Sequence, residues 1–142
     1  MSSAVQLIRS DTLAAAPYAY AATAPADARL IFLAGACPLA GDGTVVSPGD
    51  VAAQTEQCIR NLNAALDAAG AELADIISTR VLVASSARSD LVDAWNVVAA
   101  AFDSHDVPST LLGVTVLGYP EQLVEIEAVA AVMDGGGDRA QP

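Results

Sequence analysis

Residues 107–133, VPSTLLGVTVLGYPEQLVEIEAVAAVM, constrain the fold more than any other part of the chain. Two extended apolar runs, LLGVTVL and LVEIEAVAAVM, are entered through Pro108, Ser109 and Thr110 and joined by a turn at Gly118, Tyr119 and Pro120. Successive side chains of a strand point to opposite faces. The second run therefore sets Val124, Ile126, Ala128, Ala130 and Val132 on one side and Leu123, Glu125, Glu127, Val129, Ala131 and Met133 on the other. The first side is that of a core strand. The second carries two carboxylates among apolar neighbours, which fits either a rim strand whose glutamates point to water or a site that uses them.

The length, 142 residues, is that of one domain, with a single unit expected over 1–134. Its core must be built of Ala, Val and Leu, because 54% of the residues are hydrophobic but only 4% aromatic. Only 16% are charged, which leaves little polar surface for a monomer, so self-association is expected. The formal charge of -11 is offset by six singly scattered arginines and no lysine, which disfavours nucleic acid as a partner. Cys37 and Cys58 have neither CxxC nor metal-ligand spacing and read as reduced, partly buried thiols. No run reaches the ~18 apolar residues of a membrane span, and the N-terminus lacks a basic stretch followed by an apolar one. A cytoplasmic protein without a membrane partner is the expectation.

In chain order, residues 4–9 alternate as a short strand, and residues 18–23 read as a second with Tyr18 and Tyr20 on one face. A turn at Pro25, Ala26 and Asp27 leads to a third, RLIFLA at 29–34, expected to close a hairpin with the second. Ser47, Pro48 and Asp50 predict a helix start with Ser47 as N-cap. The helix that follows has an apolar stripe at Val51, Cys58, Ile59, Leu62, Ala65, Leu66 and Ala69 and ends at Gly70, with Gln54, Gln57, Arg60, Asn61 and Asp67 expected in solvent. IISTRVLVA at 76–84 is a central strand. A second helix, capped by Ser86 or Ser89, buries Leu91, Ala94, Trp95, Val98, Ala101 and Phe102, which makes Trp95 a core residue. The lone His105 reads as a solvated loop residue, and the tail 135–142 is expected to be disordered.

The resulting order is β-β-β-α-β-α-β-β, an α+β arrangement in which two helices cover one face of a six-stranded mixed sheet. Nothing in the chain is left to cover the other face. An oligomer packing its sheets around an axis would bury it and bring Glu125 and Glu127 to subunit borders.

Several ordered motifs resemble those of the RidA family (YjgF/YER057c/UK114). APYAYA at 16–21 is similar to its GPY segment, LAGACPL at 33–39 to its SGQ-P element, residues 50–77 to its first helix and following strand, and LVEIEAVA at 123–130 to its last strand. The resemblance implies a chorismate-mutase-like fold and a homotrimer with small-molecule pockets between subunits. It also implies hydrolysis of reactive enamines and imines to 2-keto acids and ammonia, with no metal and no organic cofactor. Carried over, Glu125 is the catalytic residue that positions water, and Tyr18, Gly35, Ser109, Thr110 and Leu111 line the substrate site.

The chain departs from the family pattern at three places. Ser109 stands where the family has the arginine that clamps a substrate carboxylate, and Ala34 and Ala36 replace the serine and glutamine of SGQ. Arg80 or Arg88 could supply a guanidinium from elsewhere in a trimer. Two readings stay open: an enzyme with altered substrate preference, and a non-catalytic metabolite-binding or regulatory trimer. An endoribonuclease is disfavoured by the charge. A serine offers one neutral hydroxyl in place of a permanently charged planar fork. Carboxylate binding should therefore weaken by roughly 1–3 kcal/mol. A coupled deaminase assay is expected to show slower imino-acid hydrolysis than an arginine-bearing homologue, and equal rates would refute the argument.

Overall fold

The computed structural model describes residues 3–134, so the tail at 135–142 lies outside the described residues. The elements are β1 (Gln6–Ile8), β2 (Ala21–Thr23), β3 (Arg29–Phe32), α1 (Val51–Ala68), a 3₁₀ turn (Leu73–Asp75), β4 (Ile76–Val83), α2 (Arg88–Phe102), β5 (Ser109–Gly113) and β6 (Val124–Val132). The expected order of strands and helices is present. The six strands do not form one sheet, however: β1 and β2 make a two-stranded ribbon, and the other four are ordered β3-β6-β4-β5.

The expected hairpin of the second and third strands changes accordingly. The turn at Pro25 forms, with the Ala28 N–H donating to the Pro25 carbonyl at 3.0 Å, yet β2 pairs with β1 and β3 with β6. Three residues of Ala-Ala-Thr give β3 little to pack against, whereas β6 offers a nine-residue apolar strand. The two apolar runs of 107–133 are likewise not neighbours, because β4 lies between them, parallel to β5 and antiparallel to β6.

The core lies between the helices and one face of the four-stranded sheet. Cys58, Leu62 and Leu66 of α1 and Ala94, Val98 and Phe102 of α2 meet Val81, Val83, Val124, Ile126 and Ala130 of the sheet. Each such aliphatic side chain contributes ~1.5–3 kcal/mol when fully withdrawn from water. The other face is open in the single chain. Alternation sets Leu30 and Phe32 of β3, Val129 of β6 and Leu112 of β5 upon it, and Phe32 is 75% exposed. Arg80 of β4 and Glu127 of β6 pair there at 3.2 Å. Among the described residues no helix is long and apolar enough to cross a membrane.

Helix ends and faces differ from expectation where loops are involved. Ser47, with φ 46°, opens a turn in which the Asp50 N–H donates to the Ser47 carbonyl, and Gly49 takes φ 84°. Asp50 is then the N-cap, its carboxylate accepting from the Ala53 N–H at 2.9 Å. A Pro-Gly pair favours this turn over a helix start, and a carboxylate suits the positive end of a helix. In α2 the N-cap is Ala87; Ser85 accepts from its N–H at 3.0 Å and donates to Asp90 at 2.6 Å.

Gln54 is fully buried rather than solvated. Its amide accepts from the Leu123 N–H at 2.8 Å and donates to the Glu121 carbonyl at 3.0 Å. Asn61 is half-buried and donates to the carbonyls of Cys37 and Leu39 at 2.8 and 2.9 Å. Both amides pair backbone groups of loops that no strand satisfies. Gln54→Leu would leave the half-buried Leu123 N–H and the Glu121 carbonyl without their partner, at about 1–3 kcal/mol in all. A urea titration should show a lower midpoint at unchanged m, and an unaltered midpoint would refute the role given to the amide.

Candidate functional site

The expected site residues fall into two groups. The first is built around Glu125, the second residue of β6, on the open face beside Leu82 of β4. The 33–39 segment is held against the same strand by reciprocal backbone bonds between Ala36 and Ile126, at 2.7 and 3.0 Å. That pairing lays Gly35 under the glutamate. A Cβ on Gly35 would overlap the Glu125 carboxylate at Oε2 and Cδ, so only glycine lets the two approach as they do.

Oε1 of Glu125 accepts from Gln122 Nε2 at 3.1 Å and from the Cys37 thiol at 3.5 Å. Gln122 is itself buried and fixed, donating to the Val124 carbonyl at 3.0 Å and accepting from the Tyr119 N–H at 3.0 Å. One carboxylate oxygen is thereby anchored and the other lies over Gly35. Such a group can orient a water or take its proton. Burial, and then the negative charge of Glu125, push the Cys37 thiol above its ordinary value, so it serves as a donor and not as a thiolate nucleophile. Cys58, deeper in the core, is pushed up further by burial.

The second group lies at the free edge of the sheet. Tyr18, Ser109, Thr110 and Leu111 line one cleft of about 490 Å³ together with Pro17 and Trp95. The 17–20 segment is set there by the Ala19 N–H, which donates to the Asp106 carbonyl at 2.7 Å. The Tyr18 ring meets Tyr20 and Trp95 edge to face, with centroids at 5.8 and 6.3 Å. Ser109 accepts from the Thr79 hydroxyl at 2.7 Å and keeps its own proton to donate. Arg80 lies across from Thr110 and borders an adjoining depression with Tyr18 and Ser109, its guanidinium held by Glu127.

Within one chain the two groups do not meet. Glu125 is level with Leu82 and Ser109 with Thr79, three residues away along β4 and two strands across, or roughly 10 Å in each direction. Ser109 and Leu111 also face the helices, whereas Glu125 faces the open side. Among the described residues, no three His, Cys, Asp or Glu side chains are grouped to hold a metal.

Three contributors were not visible from the sequence pattern. Gln122 and Cys37 lie in loops without periodicity, and their value comes only from where β6 brings Glu125. Trp95 does follow the helical stripe, but that stripe runs past the edge of β5, so the indole is only partly covered and walls the cleft. His105 is no free loop residue either: Nε2 lies 2.8 Å from the Ile76 carbonyl and ties the end of α2 to β4.

A sequence profile of the family described as Endoribonuclease L-PSP matches residues 9–132. The chain belongs to this family. Solved structures agree with that membership in the YjgF/YER057c/UK114, or RidA, group. YyfB of Yersinia pestis, a Rid-family protein of unknown function, is 28% identical with a TM-score of 0.84, the match covering 91% of this chain and 99% of that one. Rv2704 of Mycobacterium tuberculosis, a member of the YjgF/YER057c/UK114 family, is 33% identical with a TM-score of 0.61, covering 90% and 99%. The yeast protein YEO7 is 26% identical with a TM-score of 0.67, covering 91% and 99%. Like them, this RidA-group chain has the α+β fold expected from its motifs.

The Cys37–Glu125 contact has a measurable sign. A negative neighbour disfavours the thiolate, so removing that charge lowers the Cys37 pKa from its raised value, while the burial that is the larger cause stays. In Glu125→Gln, alkylation of Cys37 by iodoacetamide at fixed pH should be faster and its pH profile displaced downward, read by mass spectrometry with Cys58 unreacted. A profile that does not move would contradict the contact.

Proposed function

We propose that the protein is a homotrimer with small-molecule pockets between its subunits, and that it hydrolyses imines or enamines other than the usual imino acids. The observation that carries this is the Glu125 carboxylate, anchored through Oε1 and laid over Gly35 on an open sheet face. A second chain packed on that face would cover Leu30, Phe32 and Leu112, which a lone chain leaves 37–75% exposed. It would also bring the edge cleft of one subunit to the glutamate of the next.

In such a pocket Glu125 accepts a proton from water as the oxygen attacks the imine carbon. Glu125 passes that proton to the nitrogen, giving a carbinolamine. The new hydroxyl then loses its proton, which Glu125 relays to the nitrogen, and the C–N bond breaks to release the amine as the carbonyl forms. Tyr18, Ser109 and Thr110 supply neutral hydroxyls, and Leu111 an apolar wall. The guanidinia of Arg80 and Arg9, which border depressions next to Tyr18, are already paired with Glu127 and Asp106. A substrate that is neutral or cationic where imino acids carry a carboxylate suits this lining.

A second reading, a trimer that binds a metabolite without turnover, is favoured by one observation: the family's charged clamp has become a hydroxyl already engaged by Thr79. The nuclease reading has little support from the charges, since Arg9, Arg29 and Arg80 are each paired with a carboxylate and form no basic patch.

Light scattering on a sizing column should give three times the chain mass. A panel of neutral and cationic imines should contain at least one that is turned over, with kcat reduced ~10²–10⁴-fold in Glu125→Gln. Binding across the panel without turnover would favour the second reading, and a monomer would overturn both.

A further inference from the structure

Behind the edge cleft, on the helix side of the sheet, is a smaller cavity that the hydrolase reading leaves unused. It has a volume of about 210 Å³ and lies between α2 and the start of β5. Trp95, Val98, Ala99 and Phe102 form its apolar wall, Thr79 and Ser109 its floor, and Asp103 and Asp106 its rim. An engineered cavity of ~150 Å³ lined by apolar side chains takes up benzene, so this one has room for a six-membered ring.

The rim decides the charge of the occupant. Among the described residues no arginine lines this cavity: Arg80 is on the opposite face of the sheet from Thr79, and Arg9 reaches only the rim, where it pairs with Asp106. Asp103 is exposed, and it is the C-cap of α2, where the last carbonyls of the helix add partial negative charge. A cationic head at Asp103 with an apolar ring among Trp95, Val98 and Phe102 would satisfy both ends.

We infer that the α2–β5 cavity is a binding site for an apolar amine, a primary ammonium or amidinium joined to a ring or a branched alkyl group. Binding there requires neither the trimer pocket nor turnover. The site shares Pro17, Trp95 and Ser109 with the edge cleft, so an occupant would touch whatever fills that cleft.

Trp95 is the only tryptophan of the chain and borders both this cavity and the edge cleft, so its emission reports an occupant of either and the Asp103 and Ala99 variants assign the signal to the cavity. Benzylamine should give a saturable change, benzyl alcohol one at least fivefold weaker in affinity, and phenylacetate none. Asp103→Asn should lower the affinity for benzylamine at least fivefold and leave that for benzyl alcohol unchanged. Ala99→Phe, which fills the cavity from a half-buried position of α2, should abolish the benzylamine signal while the circular dichroism stays that of the wild type. The inference is overturned if phenylacetate binds as well as benzylamine, if the Asp103→Asn change affects amine and alcohol equally, or if the wild type shows no saturation. These titrations measure no turnover, so their failure would leave the imine-hydrolase reading intact, and an inactive enzyme would leave the cavity intact.

Discussion

The register of β6 is the constraint on which the rest of the structure depends. This strand is central, flanked by β3 and β4 and antiparallel to both, with Val124, Ile126, Ala128 and Ala130 at most 4% exposed beneath the helices. A slip of one residue would turn Glu125 and Glu127 into that core and the core residues out. Burying an unpaired carboxylate costs several kcal/mol even after relaxation. Charge therefore pins the sheet as firmly as apolar packing does, and the same two glutamates that forbid the slip are delivered to the open face. Gly35, Gln122 and Cys37 are then placed by their relation to one of them.

Much of this was legible in the residues because long elements repeat one rule many times. β4, α1, α2 and β6 each carry at least eight residues of strand or helical period, and their buried faces are largely those the pattern marks. Short strands carry no such redundancy. Three residues of β2 state neither a face nor a partner, and the choice between β1 and β3 is made by which neighbour offers side chains to pack. Buried amides escape the pattern for another reason: Gln54 and Asn61 read as solvent-facing by polarity, and their burial follows from unpaired carbonyls and N–H groups far away in sequence.

The candidate site was legible as residue types and not as one constellation. Tyr18, Ser109, Thr110 and Leu111 gather at the sheet edge, and Gly35 gathers with Glu125, but strand order and pleat keep the two groups apart within a chain. Sequence spacing has no access to that separation. It depends on β4 being inserted between β5 and β6, a fact of topology that no local pattern encodes.

The fastening of the 33–39 segment has a consequence for how specificity can change. Asn61 grips it from α1 through the Cys37 and Leu39 carbonyls, and Ile126 grips it from β6 through Ala36. A loop tied from both sides is held in one place, so in the pocket proposed above the carboxylate half would present the same geometry to every guest. Discrimination in that pocket would then reside at the edge, where β5 has a neighbour on one side only and its side chains can be exchanged without breaking a ladder on the other. Such a division lets the preference of the site be rewritten one edge residue at a time while the rigid half is inherited unaltered.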